Sequence, residues 1–391
     1  MPDPTTTTYL SRSAPRHRPS TRRTRRARRL RRTVLVAVLA LLLVSAWSLA
    51  DALRQPGDDI PTKTAEWARD HGLGALVTLA EDIQYRLSPP RTGGAPDSSV
   101  LAAGAREAPI PRQQQGGDHV PLQPRIVGPV APQLAGEGVY VPVERTTAGP
   151  LVQVTYVRPD AVHTSYLAGV AWMSRRLRFV LHPGFQDPGT TGMSQPATIP
   201  SSAYRGLAVS FNGGFKLKDA AGGYYDHGTT ASPLVAGAAS FVVYKDGRAT
   251  VGVWGSDVRM GPSVAYVRQN LKPLVVGGAV VANLDSNVQS SWGATVGGSF
   301  AVWRSGIGVT AAGDLVYVSG DALSVAALAD LLHRAGAVTA MQLDINKAWV
   351  SFMWYSHGSA GLTPHKLGDF QRPADRYLGP VSRDFVTAYL P

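Results

Sequence analysis

One carboxylate stands where the sequence pattern predicts the end of a buried strand. Asp344 follows a short and mostly apolar run, AVTAMQL, and precedes Ile345-Asn346-Lys347. In open α/β sheets, ligands bind beyond the carboxyl ends of the strands. We therefore interpret Asp344 as a site residue, with the cap of a turn as the alternative.

A single arginine is a second candidate for chemistry. Arg304 lies within an apolar, glycine-rich run that extends from Phe300 to Val309. Because burying an unpaired charge is costly, Arg304 must pair with a carboxylate, bind an anion or point to solvent. A guanidinium fits a phosphate group because it donates two parallel hydrogen bonds. Pairing with Asp344 would instead make Arg304 structural.

A turn with two glycines is the third candidate. Asn212-Gly213-Gly214 follows the predicted strand Val209-Ser210-Phe211. Two glycines let the backbone turn sharply or approach a ligand closely. The amide of Asn212 offers both a donor and an acceptor at that point. An ordinary bend is the alternative interpretation.

The element that should position Asp344 is a helix followed by a strand. Apolar residues recur at helical spacing after Ser324, whose hydroxyl can cap the first turn. Gly336 stands where a helix usually ends in a left-handed turn. Strands are predicted at Leu315–Val318 and at Ala337–Leu343. A strand, a helix and a strand predict a right-handed βαβ unit with parallel strands.

The rest of the domain is rich in β-like runs. Asp246-Gly247 divides Ser240–Trp254 and favours a tight hairpin turn. A second turn is predicted at Ala311–Asp314, between two more strands. Predicted strands outnumber predicted helices. The fold class is therefore α+β: a mixed β-sheet domain with flanking helices and one late βαβ unit, preceded by an N-terminal transmembrane helix and a linker.

The N-terminus carries most of the positive charge. Residues 1–32 contain eleven arginines and one acid, about +10 of the net +12 of the 391-residue chain. Residues 33–50 have no charged side chain and as a helix would span roughly 27 Å, close to the ~30 Å hydrocarbon core of a membrane. The arginines keep their side cytoplasmic. We expect a single-pass cell-membrane protein with an extracellular C-terminal domain; a cleaved signal and a twin-arginine signal are the alternatives.

Four segments are predicted. Residues 1–32 form the cytoplasmic arm, residues 33–50 the transmembrane helix or signal anchor, residues 51–135 a short helix and a Pro/Gly-rich linker, and residues 136–391 the folded domain. Apolar residues of the short helix, including Leu76 and Ile83, could pack on a neighbour or rest at the membrane surface.

Several classes of chemistry are excluded or left without a signal. The chain has no cysteine, which rules out disulfides and thiolate chemistry. The histidines lack the spacing of a zinc site, and no nucleotide-binding glycine loop is present. Aromatic-plus-basic stripes suited to nucleic acid are absent from the domain. We therefore expect no cofactor, no metal and no nucleic-acid partner; the oligomeric state is not predicted.

Three motifs in a fixed order resemble a known family. They are Asn212-Gly213-Gly214-Phe215, then Trp303–Gly308 (WRSGIG), then Ala340–Asp344 (AMQLD). This order is similar to the phosphodiester glycosidase family, in particular to a membrane-anchored actinobacterial branch, over roughly residues 136–352. The resemblance implies an exported, membrane-tethered hydrolase of sugar-phosphate diesters, acting on cell-wall or exopolysaccharide material.

The resemblance also implies roles for individual residues. Arg304 would hold the phosphate, and Asp344 would act as nucleophile or general base at the anomeric carbon, or would orient that centre. Asn212, Gly213, Gly214 and Asn346 would bind the substrate. A second carboxylate is expected for glycosidic cleavage; Asp226 and Asp285 are the candidates.

The chain departs from the family pattern after Asp344. The family has a glycine-rich GGGS there, whereas this chain has Ile345-Asn346-Lys347-Ala348-Trp349. The change alters both the shape and the charge of the loop. The identity of the sugar therefore stays open, and a non-catalytic envelope glycan-binding or scaffold module on the same fold is the alternative.

Overall fold

The computed structural model describes residues 21–55, 59–106, 120–147, 149–284, 301–359 and 361–391. The chain divides into two compact units, Met1–Gln55 and Pro56–Pro391. In the first unit, helix α1 spans Thr21–Arg54. Its segment Leu30–Arg54 has a mean hydropathy of 2.4 and is long and apolar enough to cross a membrane, a test that a signal sequence also passes. The predicted span 33–50 lies within it.

The second unit contains four further helices and eighteen strands in its described part. The helices are α2 Ile60–Asp70, α3 Gly74–Leu87, α4 Ser98–Arg106 and α5 Val325–Arg334; short 3₁₀ turns lie at Ser201–Gly206 and Arg376–Leu378. The strands are β1 Val141–Thr146, β2 Gly149–Val157, β3 Ala168–Met173, β4 Arg178–His182, β5 Leu207–Asn212, β6 Tyr224–Asp226, β7 Thr229–Ser232, β8 Ala239–Tyr244, β9 Ala249–Val253, β10 Val264–Gln269, β11 Pro273–Val276, β12 Ala279–Val280, β13 Val302–Thr310, β14 Leu315–Leu323, β15 Ala337–Gln342, β16 Phe352–Gly358, β17 Gly361–Lys366 and β18 Phe385–Tyr389.

The strands form three sheets. The largest has eight strands in the order β1-β2-β3-β14-β13-β15-β11-β12, and two five-stranded sheets have the orders β7-β6-β10-β8-β9 and β17-β16-β5-β18-β4. The neighbouring strands that bear on the site, β13 with β14 and β15, and β5 with β16 and β18, are antiparallel. With a few flanking helices, this is the α+β class predicted from the sequence.

The late helix forms as its sequence predicts. The Ser324 hydroxyl accepts a hydrogen bond from the Ala327 N–H at 3.0 Å, and Gly336 follows the helix with a φ of 96°. Val325, Leu328, Leu331 and Leu332 are buried on the face of α5 that packs on the large sheet. The helix thus stabilises the sheet by burying one apolar stripe.

The strands around α5 are not direct neighbours. Strand β13 lies between β14 and β15 and is antiparallel to both. The strands β14 and β15 therefore run parallel to each other, as predicted, but are separated by an inserted strand. Both predicted hairpins are confirmed: β8 pairs with β9 across Asp246-Gly247, and β13 pairs with β14.

Aromatic side chains join the large sheet to the sheet that contains β5. The Tyr317 ring of β14 lies 5.5 Å from the Phe211 ring of β5 and 5.0 Å from the Phe352 ring of β16, measured between centroids. Phe211 and Phe352 stack at 6.0 Å. These rings lie in the main core, and because Phe211 directly precedes Asn212, they help to fix the end of β5.

Helices α2 and α3 contact loops at the edge of the sheets. The Lys216 ammonium forms ion pairs with Glu66 and, at 3.0 Å, with Asp70. The Tyr85 hydroxyl accepts a hydrogen bond from the Ala301 N–H at 3.2 Å. The predicted folded domain begins at residue 136, whereas the compact unit of the structure begins at Pro56. Leu76 of α3, which the sequence suggested could pack on a neighbour or rest at the membrane surface, is 62% exposed in the structure.

Candidate active site

A cavity of about 710 Å³ opens beside the carboxyl end of β15. Its walls include the loop after β15, the loop after β5 and the α2–α3 hairpin with the residues that follow it, together with residues of β13 and β14, Tyr166 and Arg383. The lining includes Glu66, Arg69, Tyr85, Tyr166, Phe215, Lys216, Lys218, Asp219, Trp303, Asp321, Asp344, Ile345, Asn346, Lys347, Trp349 and Arg383. Segments far apart in the sequence thus build one concave site.

Asp344 is a buried carboxylate in the wall of this cavity. Its side chain Oδ1 accepts hydrogen bonds from the N–H groups of Ile345 at 2.7 Å and Asn346 at 2.9 Å. Its Oδ2 lies 3.8 Å from Arg383 Nη2. Burial raises the pKa of Asp344 to about 6; Arg383 and the two backbone donors partly offset this effect, and Glu66 adds to it. The carboxyl group therefore titrates close to neutral pH.

A hydrogen-bond network joins Asn212 to the backbone of Asp344. The Asn212 amide donates to Ser305 Oγ at 3.0 Å, and Ser305 Oγ accepts from the Asp344 N–H at 3.2 Å. Asn212 Oδ1 accepts from the Tyr317 hydroxyl at 2.8 Å and from the Ser351 N–H at 3.1 Å. The structure thus brings Asn212 and Asp344 together, but Asn212 is not among the residues that line the cavity.

Gly213 and Gly214 lie against a buried ion pair. Arg268 Nε donates to Asp384 Oδ2 at 2.7 Å. A Cβ atom on Gly213 would lie 2.2 Å from that carboxylate oxygen, and one on Gly214 would lie 3.0 Å from the Asn270 side chain. The two glycines are required here because any larger residue would displace the groups packed on them.

Arg304 is fully buried beside the end of β15. Its Nε donates to the Leu323 carbonyl at 2.8 Å, and its Nη1 donates to Gln342 Oε1 at 3.1 Å. Burial lowers the pKa of Arg304 to about 9. Arg304 is absent from the cavity lining, although its neighbours Val302 and Trp303 belong to it. The side chain thus supports β14 and β15 from behind the cavity wall.

The loop after Asp344 uses its own backbone donors. Besides the two N–H groups bound to the Asp344 carboxylate, the Ala348 N–H donates to Asn346 Oδ1 at 2.9 Å. The N–H groups of Trp349 and Val350 donate to the Asn346 carbonyl at 2.8 and 2.9 Å. Asn346 therefore lines the cavity and also holds the loop in shape.

The cavity lining also contains residues that the sequence interpretation did not single out as site residues, among them Arg383, Trp349 and Asp321. Arg383 and Trp349 lie beside each other, with the Arg383 guanidinium carbon 5.1 Å from the centre of the Trp349 ring. Asp321, near the end of β14, is a further carboxylate in the wall, in addition to Glu66, Asp219 and Asp344, and burial raises its pKa. The sequence feature that could have identified Asp321 is its position in the SGDAL run that leads into α5.

The two carboxylates expected as partners of Asp344 lie elsewhere. Asp226 is buried on β6, where it accepts a hydrogen bond from the Ser194 N–H at 2.8 Å, and it does not line the cavity. Asp285 lies outside the described residues. Among the residues that are described, no group of three or more His, Asp or Glu side chains could hold a metal ion.

Residues 205–344 match the family model described as phosphodiester glycosidase. The matched segment contains Asn212, Arg304 and Asp344 and ends before Trp349 and Arg383. None of the curated proteins compared with the chain matches it.

Solved structures of low sequence identity are also similar to this chain. The catalytic domain of zebrafish N-acetylglucosamine-1-phosphodiester alpha-N-acetylglucosaminidase, auto-inhibited by its pro-peptide, has a TM-score of 0.40 and 14% identity over 64% of this chain and 87% of its own. A hypothetical protein from Synechocystis has a TM-score of 0.38 and 12% identity over 64% of each chain. A Burkholderia pseudomallei protein described as exported has a TM-score of 0.33 and 13% identity over 58% of this chain and 74% of its own.

Proposed function

We propose that this chain hydrolyses sugar-phosphate diesters and that Asp344 is its catalytic carboxylate. The match of residues 205–344 to the phosphodiester glycosidase family model supports the reaction class. The observation that carries the proposal is Asp344 itself, a carboxylate only 3% exposed in the wall of a 710 Å³ cavity, with its pKa raised to about 6. Strongly perturbed carboxyl groups in clefts are typical of functional sites.

In the proposed reaction, water attacks the anomeric carbon of the sugar. The bond between that carbon and the phosphate oxygen breaks, and the phosphate monoester leaves with the electron pair. The Asp344 carboxylate accepts the proton from the water, a task that suits a base with a pKa near the working pH. Because phosphate is a weak base, the leaving group needs no general acid. In the alternative path, Asp344 attacks the carbon directly and water hydrolyses the covalent intermediate.

The other predicted site residues act around Asp344 in this proposal. Asn212 positions the Asp344 backbone through Ser305, and Gly213-Gly214 gives the close packing that this arrangement needs. Asn346 contacts the sugar from the cavity wall. Arg304, predicted as the phosphate ligand, instead holds the Gln342 end of β15 in place.

The proposed location is the outer face of the cell membrane. Helix α1 would be the anchor, and its arginine-rich flank would stay in the cytoplasm. Cell-wall or exopolysaccharide material would then be within reach of the cavity. Protease added to intact spheroplasts should degrade the chain beyond Asp51; protection until the cells are permeabilised would overturn this topology.

Turnover by the purified full-length chain tests the activity. The substrates are methyl diesters of N-acetylglucosamine 1-phosphate, glucose 1-phosphate and mannose 1-phosphate, and the released sugar is measured. Turnover of at least one diester by the wild type and its loss in Asp344→Asn would support the proposal. Binding of a diester without turnover would favour the glycan-binding module, and neither binding nor turnover across the panel would refute the hydrolase.

A further inference from the structure

Three arginines surround the indole ring of Trp349 in the cavity wall. The guanidinium carbons of Arg372, Arg376 and Arg383 lie 5.3, 5.2 and 5.1 Å from the ring centroid. Attraction between a cation and the face of an aromatic ring stabilises each of them. Three like charges nevertheless converge on one side chain, and only Arg383 among the three lines the cavity.

The first two arginines are bound to the backbone. Arg372 Nε donates to the Ala348 carbonyl at 2.9 Å, and Arg376 Nη1 donates to the same carbonyl at 3.0 Å. Both therefore hold the loop that carries Trp349.

Arg383 is bound in a different way. Its Nη2 donates to the Gly214 carbonyl at 3.2 Å, but its contacts with the carboxylates of Asp187 and Asp344 are 3.8 Å long, beyond hydrogen-bond range. Its Nε is buried and has no hydrogen-bond acceptor within the described part of the chain. The guanidinium is thus held in position electrostatically while one of its donors stays open.

Trp349 presents a second open donor beside it. The residue is 3% exposed, lines the cavity, and its Nε1–H has no acceptor among the described residues. Buried donors are almost always paired in native structures. Two open N–H groups on adjacent side chains in one cavity wall therefore point to a ligand that carries more than one acceptor oxygen.

The loop after Asp344 already uses most of its backbone N–H donors. Its N–H groups at Ile345, Asn346, Ala348, Trp349 and Val350 all donate within the loop. The glycine-rich loop of the family pattern is replaced here by a sequence that ends in Trp349. The indole N–H is thus a side-chain donor in a loop where most backbone donors are already used.

We propose that Arg383 Nε and Trp349 Nε1 form the subsite that binds the phosphate group of the diester. This inference rests on the proposed hydrolase function. A phosphodiester carries one negative charge and two non-bridging oxygens, one for each donor, and a guanidinium binds such oxygens well. The subsite also sets the orientation of the substrate: Arg383 Nη2 lies 3.8 Å from the Asp344 carboxylate, so that the bound phosphate places the anomeric carbon next to Asp344.

Phosphate binding to the full-length chain tests the subsite without any turnover. The probe is inorganic phosphate, titrated into ¹⁵N-labelled protein in mild detergent at constant ionic strength. The indole N–H resonance that is lost in Trp349→Phe should shift with phosphate and not with chloride. Its failure to shift, or an equal shift with chloride, would overturn the proposal.

Two substitutions and one matched control complete the test. Trp349→Phe keeps the ring but removes the donor, and Arg383→Lys keeps the charge but removes the planar fork. Each should weaken phosphate binding and raise KM for the diester by about tenfold, the effect of losing one hydrogen bond to a charged group, while kcat changes little. Trp354 lies on β16 outside the cavity, with its ring stacked on His365 of β17, and Trp354→Phe should match the wild type.

The outcomes separate this inference from the proposed function. Should Arg383→Lys fail to fold, Trp349→Phe still decides the question. Turnover with unchanged phosphate affinity and KM in Trp349→Phe would overturn the subsite and leave the hydrolase standing. Phosphate binding that depends on Trp349, in a chain that hydrolyses no diester, would support the anion subsite and refute the hydrolase.

Discussion

Replacing Asp344 by asparagine should make the protein more stable and less active at the same time. The Asp344 pKa rises from 3.8 to about 6 on folding. Above pH 6 the folded protein therefore holds an ionised carboxylate that is unfavourable by about 3 kcal/mol, at 1.36 kcal/mol per pH unit. Asparagine keeps the oxygen that accepts from Ile345 and Asn346 but carries no charge. The Asp344→Asn variant should then gain up to about 3 kcal/mol in the free energy of unfolding at pH 8.

The gain should depend on pH in a defined way. Between pH 3.8 and about 6 the folded protein binds more protons at Asp344 than the unfolded chain does, so the wild type loses stability as the pH rises through this window. The difference between variant and wild type should accordingly vanish near pH 4 and be complete above pH 6. Urea unfolding of the full-length chain in mild detergent, followed by tryptophan fluorescence, measures it.

Activity provides the second half of the test. If Asp344 accepts the proton or attacks the sugar, turnover should fall by about 10² or more, which corresponds to about 2.7 kcal/mol of barrier. Asp226→Asn, at a buried carboxylate outside the cavity, is the control and should keep its turnover per folded molecule. A variant that is less stable than the wild type at pH 8, with normal turnover, would show that Asp344 is a structural partner of Arg383.

Three further substitutions test the groups around Asp344. Asn212→Ala leaves the Tyr317 hydroxyl without its acceptor on Asn212 and should cost about 2–4 kcal/mol of unfolding free energy, measured by urea unfolding. Gly213→Ala places a Cβ atom 2.2 Å from a carboxylate oxygen and should cost about 2–3 kcal/mol, whereas Gly206→Ala, with no atom within 4 Å, should cost less than about 1 kcal/mol; equal melting temperatures for the two would contradict the packing argument. Arg304→Lys loses the paired donation from its buried fork and should lower the melting temperature while turnover per folded molecule stays within about twofold; a selective loss of turnover would return Arg304 to the site.

Local signals made several elements predictable from the sequence. The apolar spacing and the Ser324 cap define α5, and Asp246-Gly247 defines the β8–β9 hairpin, because each depends only on residues close in the chain. The position of β13 between β14 and β15 depends on pairing between distant segments. No local pattern encodes that choice, and so the insertion could not be read from the helix and its flanking strands.

The candidate site was predictable only in part, because it also depends on pairing between segments that are distant in the sequence. Asp344 stands at a strand end that the sequence itself marks. Arg383, in contrast, lies in a short VSRDF run near the C-terminus, where an arginine next to an aspartate is typical of a solvated surface. Its burial follows from the pairing of β18 with β5, which places Asp384 beside Gly213 and turns Arg383 towards the cavity.

The energetics of Asp344 favour a functional over a structural origin for its burial. A carboxylate that only capped the turn at Ile345 and Asn346 would be served as well by asparagine, which accepts the same two hydrogen bonds without the cost of a buried charge. The structure nevertheless retains the acid and fixes its backbone through Ser305 and Asn212, which belong to two other strands. A buried charge that lowers stability, held rigidly by hydrogen bonds from distant segments, is expected where a side chain must keep a defined geometry for a reaction. The hydrogen bonds through Ser305 also account for the position of Asn212 close to Asp344, although only Asp344 lines the cavity.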